Sequence, residues 1–70
     1  MTRTPVTSSN LRSVGYDAQS NMLRIEFQDG HVYDYSSVGN ATFSALMRAS
    51  SKGTYFHDYI KDRYVCRRVA

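Results

Sequence analysis

Residues 22–35 read MLRIEFQDGHVYDY, and this stretch constrains the fold of the 70-residue chain more than any other. Leu23, Ile25 and Phe27 alternate with Met22, Arg24 and Glu26, the period-two pattern of a strand with one buried face. Asp29-Gly30 then turns the chain into a second strand, HVYDYS. The loop length decides which side chains go inside. A two-residue Asp-Gly loop would set Asp34 opposite Ile25 on the apolar face, where an unpaired carboxylate is costly. A three-residue loop, Gln28-Asp29-Gly30, places Gly30 in the left-handed position of a bulge. It pairs His31 with Phe27, Tyr33 with Ile25 and Tyr35 with Leu23. It also sets Asp34 opposite Arg24 on the outer face, a favourable cross-strand pair. A one-residue slip exchanges the two faces, so the three-residue loop is predicted. Tyr33 and Tyr35 then become mainly core aromatics, with Tyr35 at the sheet edge also able to meet a ligand.

The rest of the chain organises around this hairpin. LRSVGYDA (11–18) reads as a preceding strand, with Val14 and Tyr16 on one face and Gly15 in a bulge or under a close backbone approach. QSN (19–21) is a turn. ATFSALMRA (41–49) carries Phe43, Leu46 and Met47 at helical spacing, with Asn40 as N-cap. SSKG (50–53) breaks the pattern. TYFHDYIKDR (54–63) resumes it, capped by Ser51 or Thr54, with Phe56 and Ile60 on one face. YVCRRV (64–69) ends the chain as a fourth strand or an extended tail. The predicted class is α+β: a small antiparallel meander of three strands covered by a two-helix hairpin, with a fourth C-terminal strand as an option. Residues 1–9, rich in Thr and Ser and holding Pro5, read as a flexible arm before a single domain over 10–70.

Size and composition limit the function. A chain this short buries only about 60% of the surface its unfolded form exposes. Cys66 is the only cysteine, so an intrachain disulfide is excluded, and with two histidines it makes too few ligands for a structural zinc site. Self-association is therefore expected to help stability. No secretory signal or membrane-length apolar run is present, so a cytoplasmic protein without a membrane partner is expected.

Charge is uneven. Residues 1–35 set Arg3, Arg12 and Arg24 against Asp17, Glu26, Asp29 and Asp34, net −1, whereas residues 36–70 set six basic side chains against Asp58 and Asp62, net +4. A basic second half points to an anionic partner.

The residues VGYD (14–17), LRIEFQDGHVYDY (23–35), SKGTYF (51–56) and the spacing of Ile60 to Tyr64 together resemble the KTSC family. That family is named for a short domain at the C-terminus of some lysyl-tRNA synthetases, and it also occurs as small free-standing bacterial and phage proteins. The likeness spans residues 9–69. Two positions depart from the family pattern: Val38-Gly39 stands where Val-Pro is usual, and His57 where Asn follows the aromatic pair. The resemblance implies an RNA-binding role by association.

The candidate binding residues are Lys52, Tyr55, Tyr59, Arg63, Arg67, Arg68 and Tyr35. Lys52, Tyr55, Tyr59 and Arg63 share one helical stripe if the helix begins near Ser51, and interleaved rings and cations can hold bases and phosphates together. The competing reading is a solvated helix face whose tyrosines cover the core rim. Cys66 reads as a small buried or rim residue, His57 as exposed, and His31 as a flank to Phe27. The scattered carboxylates form no catalytic dyad. The expectation is a non-enzymatic RNA-binding module without cofactor or metal. The alternatives are a homo-oligomer that holds a small nucleotide, or a protein-interaction adaptor with Met47, Tyr55 and Tyr59 as its apolar patch.

Overall fold

The computed structural model describes residues 1–70. Seven elements follow in order: β1 Arg3–Pro5, β2 Leu11–Asp17, β3 Met22–Phe27, β4 Val32–Tyr35, α1 Asn40–Arg48, α2 Lys52–Tyr59 and β5 Cys66–Arg68. The strands form one antiparallel sheet in sequential order, β1-β2-β3-β4-β5. The class is α+β, with five strands where the sequence suggested three or four.

The central hairpin has the predicted register. Leu23 faces Tyr35, Arg24 faces Asp34 and Ile25 faces Tyr33. Gly30 lies at φ 93, its N–H donates to the Phe27 carbonyl at 3.0 Å, and the Phe27 N–H donates to the His31 carbonyl at 2.9 Å. The Asp29 carboxylate accepts from the His31 N–H at 2.9 Å, so the aspartate organises its own turn.

The pleat then sorts the side chains. Val14, Leu23, Ile25 and Tyr35 point to the helices and join Leu11, Val38, Leu46, Phe56 and Ile60 in one buried cluster. On the other face, Arg24 donates to both oxygens of Asp34, from Nε at 2.7 Å and Nη2 at 2.8 Å. Asp34 faces outward as predicted but is almost entirely covered. The Arg24 bonds, and more weakly its charge and that of Arg67, hold the Asp34 carboxyl below the usual carboxylate range against the opposing pull of burial.

Several local expectations need correction. Residues 3–5 do not hang free: they pair with β2, Thr4 opposite Val14. The bulge in β2 lies between Leu11 and Ser13, not at Gly15. Gly15 is small because side chains cross it; a Cβ there would sit 3.0 Å from Arg3 Cγ and from Met1 Sδ. The cap of α1 is Gly39, extended at φ −71 and ψ 157, and Asn40 is already helical, its Oδ1 accepting from Ser44 Oγ at 3.0 Å. Entry into α1 is pinned without a proline. Val38 is buried, its N–H donates to the Asn21 carbonyl at 2.8 Å, and its carbonyl accepts from the Tyr16 hydroxyl at 2.6 Å. Tyr16 also stacks on Phe43, centroids 4.6 Å apart.

Helix α2 starts two residues earlier than predicted, because Ser51 rather than Thr54 caps it, accepting from the Thr54 N–H at 3.4 Å. It also ends earlier. Ile60 is its C-cap, its N–H donating to the Phe56 carbonyl, and Asp62 turns the chain at φ 63. Neither helix is long and apolar enough to cross a membrane.

Candidate functional site

The stripe predicted on α2 does not hold together. The Tyr55 and Tyr59 rings do meet, with centroids 4.7 Å apart and planes tilted by 36°, and Tyr59 is exposed. The Lys52 ammonium, however, folds back onto the Ala49 carbonyl at 3.1 Å. Arg63 lies beyond the end of the helix, past the turn at Asp62, so it cannot continue the stripe. Arg67 and Arg68 alternate along β5. Arg67 faces Asp34 on the outer side of the sheet, and Arg68 faces Tyr33 on the helix side. The seven candidate residues therefore do not form one surface.

What the fold does assemble is a groove of about 600 Å³ between α2 and the hairpin end of the sheet. Of the predicted residues, only Tyr35 lines it. The sheet contributes Phe27, Tyr33 and Tyr35, α2 contributes Gly53, Phe56 and His57, and the turn after it contributes Lys61 and Asp62. Ser9, Asn10, Gln28 and Asp29 close one end, and Cys66 of β5 stands exposed at the rim. That closed end is tied down: the Gln28 N–H donates to the Asn10 carbonyl at 2.9 Å, and its Nε2 donates to the Ser8 and Leu11 carbonyls at 3.2 Å. Gly53 lets α2 start against this loop; a Cβ there would lie 3.3 Å from Ser8 Oγ.

The walls are aromatic and mutually braced. Phe27 meets Tyr33 at 5.8 Å and Phe56 at 5.4 Å, and Phe56 meets Tyr35 at 5.5 Å, all edge-to-face. Tyr35 is 5% exposed, yet its hydroxyl makes no hydrogen bond within the protein. No fully enclosed polar side-chain atom lacks a partner, so that hydroxyl reaches solvent, and the groove is its opening. Burial pushes the Tyr35 phenol up to about 12, helped by Cys66, Tyr33 and Asp62 nearby. At neutral pH it is an uncharged O–H.

Charges divide along the chain. Arg3 and Arg12 both approach Glu26 at 3.9 Å, and Arg24 holds Asp34. None of the basic side chains from Arg48 onward takes a carboxylate partner, and Asp58 sits with His57 at 3.3 Å. The positive charge of the second half is thus left unneutralised. No three His, Cys, Asp or Glu side chains gather in a metal-binding cluster.

Sequence reasoning missed Phe27, Phe56, His57, Lys61, Asp62 and Cys66 as neighbours around one opening. Two of them carried a usable signal: Phe27 and Phe56 were already on apolar faces. Nothing in the sequence showed that α2 leaves them bordering open space.

Comparison with known proteins agrees with the geometry. The KTSC domain pattern matches residues 7–64. An uncharacterized protein of Stutzerimonas stutzeri is 38% identical over 64 residues, covering 91% of this chain and 90% of its own. A lysine–tRNA ligase of Trichormus variabilis is 36% identical over 56 residues, 80% of this chain but only 10% of the ligase. The crystal structure of a KTSC domain protein from Yersinia pestis superposes with a TM-score of 0.94 at 38% identity, covering 99% of this chain and 97% of that one. The five-stranded sheet, the helix pair and these matches together make the chain a member of the KTSC domain family.

Proposed function

We propose that this domain is a non-enzymatic binding module for single-stranded RNA. One unpaired base enters the groove, and Lys61, Arg63 and Arg68 hold the neighbouring phosphates. The observation that carries this reading is a groove walled by Phe27, Tyr33, Tyr35 and Phe56 with Lys61 on its lining, where Lys61, Arg63 and Arg68 form no ion pair with a carboxylate side chain. Aromatic faces stack any base, at about 1–3 kcal/mol per base, and unpaired cations take phosphates. The occurrence of the domain within lysine–tRNA ligases supports an RNA partner. Arg67 is left out of the set because it lies on the opposite face beside Asp34.

The test is fluorescence anisotropy of a labelled single-stranded RNA at several salt concentrations. Three phosphate contacts on a single strand give a log–log slope near −2, so raising salt from 50 to 200 mM weakens binding roughly twentyfold. The Lys61→Ala, Arg63→Ala, Arg68→Ala triple variant should flatten the slope while its unfolding midpoint stays close to wild type. Salt-independent binding, or full retention by the folded triple variant, refutes the reading. The groove's size also suits a free nucleotide, since small-molecule sites span ~300–1,000 Å³. That second reading predicts an affinity that does not grow with oligonucleotide length.

A further inference from the structure

The sheet has two open edges, and they differ. At the first, the Val6 N–H donates to the Arg12 carbonyl at 3.1 Å. By the alternation of an antiparallel ladder, Thr4 then bonds to β2 while Arg3 and Pro5 turn outward. Proline has no N–H to give, so that edge presents a broken ladder. At the other edge, the Ser36 N–H donates to the Val65 carbonyl and the Val69 N–H to the Val32 carbonyl, both at 2.8 Å. The same alternation turns Arg67 toward β4 and leaves the N–H and carbonyl of Cys66 and of Arg68 facing away from the sheet. No loop or turn group bonds to them, and Cys66, Arg67 and Arg68 are all exposed. Four backbone groups at ladder spacing stand open on β5.

The side chains of this segment decide what fits it. Val65 is 78% exposed and Val69 38%, and both fall on the outer face with Arg67 between them. Neither Arg67 nor Arg68 makes an ion pair, because Asp34, opposite Arg67, takes both its bonds from Arg24. Residues 61–70 set Lys61, Arg63, Arg67 and Arg68 against Asp62, a side-chain charge of +3. A second copy laid along this edge would bring the same +3 to it, and like charges across strands are destabilising. A phosphate chain would meet the arginines, but the Cys66 and Arg68 carbonyls take donors, and phosphate oxygens are acceptors.

We propose that β5 is a docking edge for an acidic, extended peptide segment of a partner protein, which adds antiparallel to it as a further strand. The register follows from the open groups. Peptide residues opposite Cys66 and Arg68 make the hydrogen bonds, those opposite Val65 and Val69 are apolar, and those opposite Arg67 and Arg68 are acidic. From its N-terminus, which meets Val69 first, the peptide reads apolar, acidic, acidic, any residue, apolar. This surface is the strand edge, so the proposal stands whether or not the groove takes a base.

The probe is a peptide blocked at both ends with the core Val-Glu-Glu-Thr-Val, and the readout is amide hydrogen exchange by NMR. At nine-tenths occupancy the Cys66 and Arg68 amides should exchange roughly tenfold more slowly. Methylating the nitrogens of the first Glu and the Thr removes the two N–H groups aimed at β5 and should abolish binding. Methylating the second Glu, whose N–H points away, should leave binding nearly unchanged. A Val-Lys-Lys-Thr-Val core should bind at least about tenfold more weakly, since each cross-strand charge pair is worth about two- to fivefold and two are reversed. Arg67→Ala with Arg68→Ala should shrink that difference. The methylation comparison uses the wild-type chain, so it decides the matter even if the double variant unfolds. Equal binding of the two methylated forms, an undiminished charge difference in the folded double variant, or no slowing with the glutamate peptide overturns the proposal. Slowing that grows with protein concentration alone assigns the edge to a second copy and overturns it. Slowing by oligouridine but not by the peptide assigns the edge to RNA and does the same.

Discussion

Replacing Asp34 by asparagine should cost this domain about 2 kcal/mol of stability at neutral pH. The carboxylate takes two short bonds from Arg24, at 2.7 and 2.8 Å, and its own side chain is only 9% exposed while that of Arg24 is 33% exposed. An exposed ion pair is worth ~0–1 kcal/mol, and removing one member of a fully buried pair costs ~3–5 kcal/mol. This pair lies between those limits. Hydrogen bonds to charged groups, at ~1.5–3 kcal/mol, give the same range. The introduced amide would also turn N–H groups toward a guanidinium that has only donors. For a domain of this size about 2 kcal/mol lowers the thermal midpoint by roughly 8–16 °C. Circular dichroism melts at pH 7 read this directly, and a cycle with Arg24→Gln isolates the pair from the burial of each partner. The pH dependence supplies an independent check. Asp34 titrates below the unfolded value of about 3.9. Its contribution is therefore complete above that value and fades as pH falls through the folded value, because the unfolded chain binds the proton first. The variant should lose that part of the acid slope. A midpoint within about 2 °C of wild type on the same scale, or an identical acid profile, would show that the pair contributes nothing net.

Two further outcomes follow from the backbone and the core. Gly30→Ala should cost about 1 kcal/mol or more in urea unfolding, from φ 93 alone, since an added Cβ meets nothing within 4 Å; an unshifted midpoint would mean that the turn relaxes at no cost. Tyr16→Phe keeps the stack on Phe43 but strips the Val38 carbonyl of its donor, and should cost about 1 kcal/mol. Urea midpoints equal to wild type would place solvent at that carbonyl.

The hairpin was legible because one residue made its two registers unequal. Asp34 inside would have been a buried, unpaired charge; outside, it met Arg24. The strand β1 was not legible, since three residues with a central threonine and a proline carry no alternation, and only the open edge of β2 makes them extended. The end of α2 was hidden for a different reason. Asp62 adopts a left-handed backbone without being a glycine, so no punctuation warned that the helical spacing of Arg63 was empty. The binding stripe failed with it. Tyr35 lines the groove because strand register, not helix length, placed it. The groove was illegible as a unit because its walls come from four separated segments, and spacing along a chain does not reveal distances across it.

That same dispersion carries a consequence. The opening borrows from Ser9 near the start of the chain and from Cys66 near its end. A partly folded chain that has formed only the central ribbon has no such cleft. A ligand that bound there would therefore recognise the finished molecule alone, and by mass action a hundredfold excess over its dissociation constant would raise the unfolding free energy by about 2.7 kcal/mol. For a molecule with so little interior, such a ligand would act as a second core.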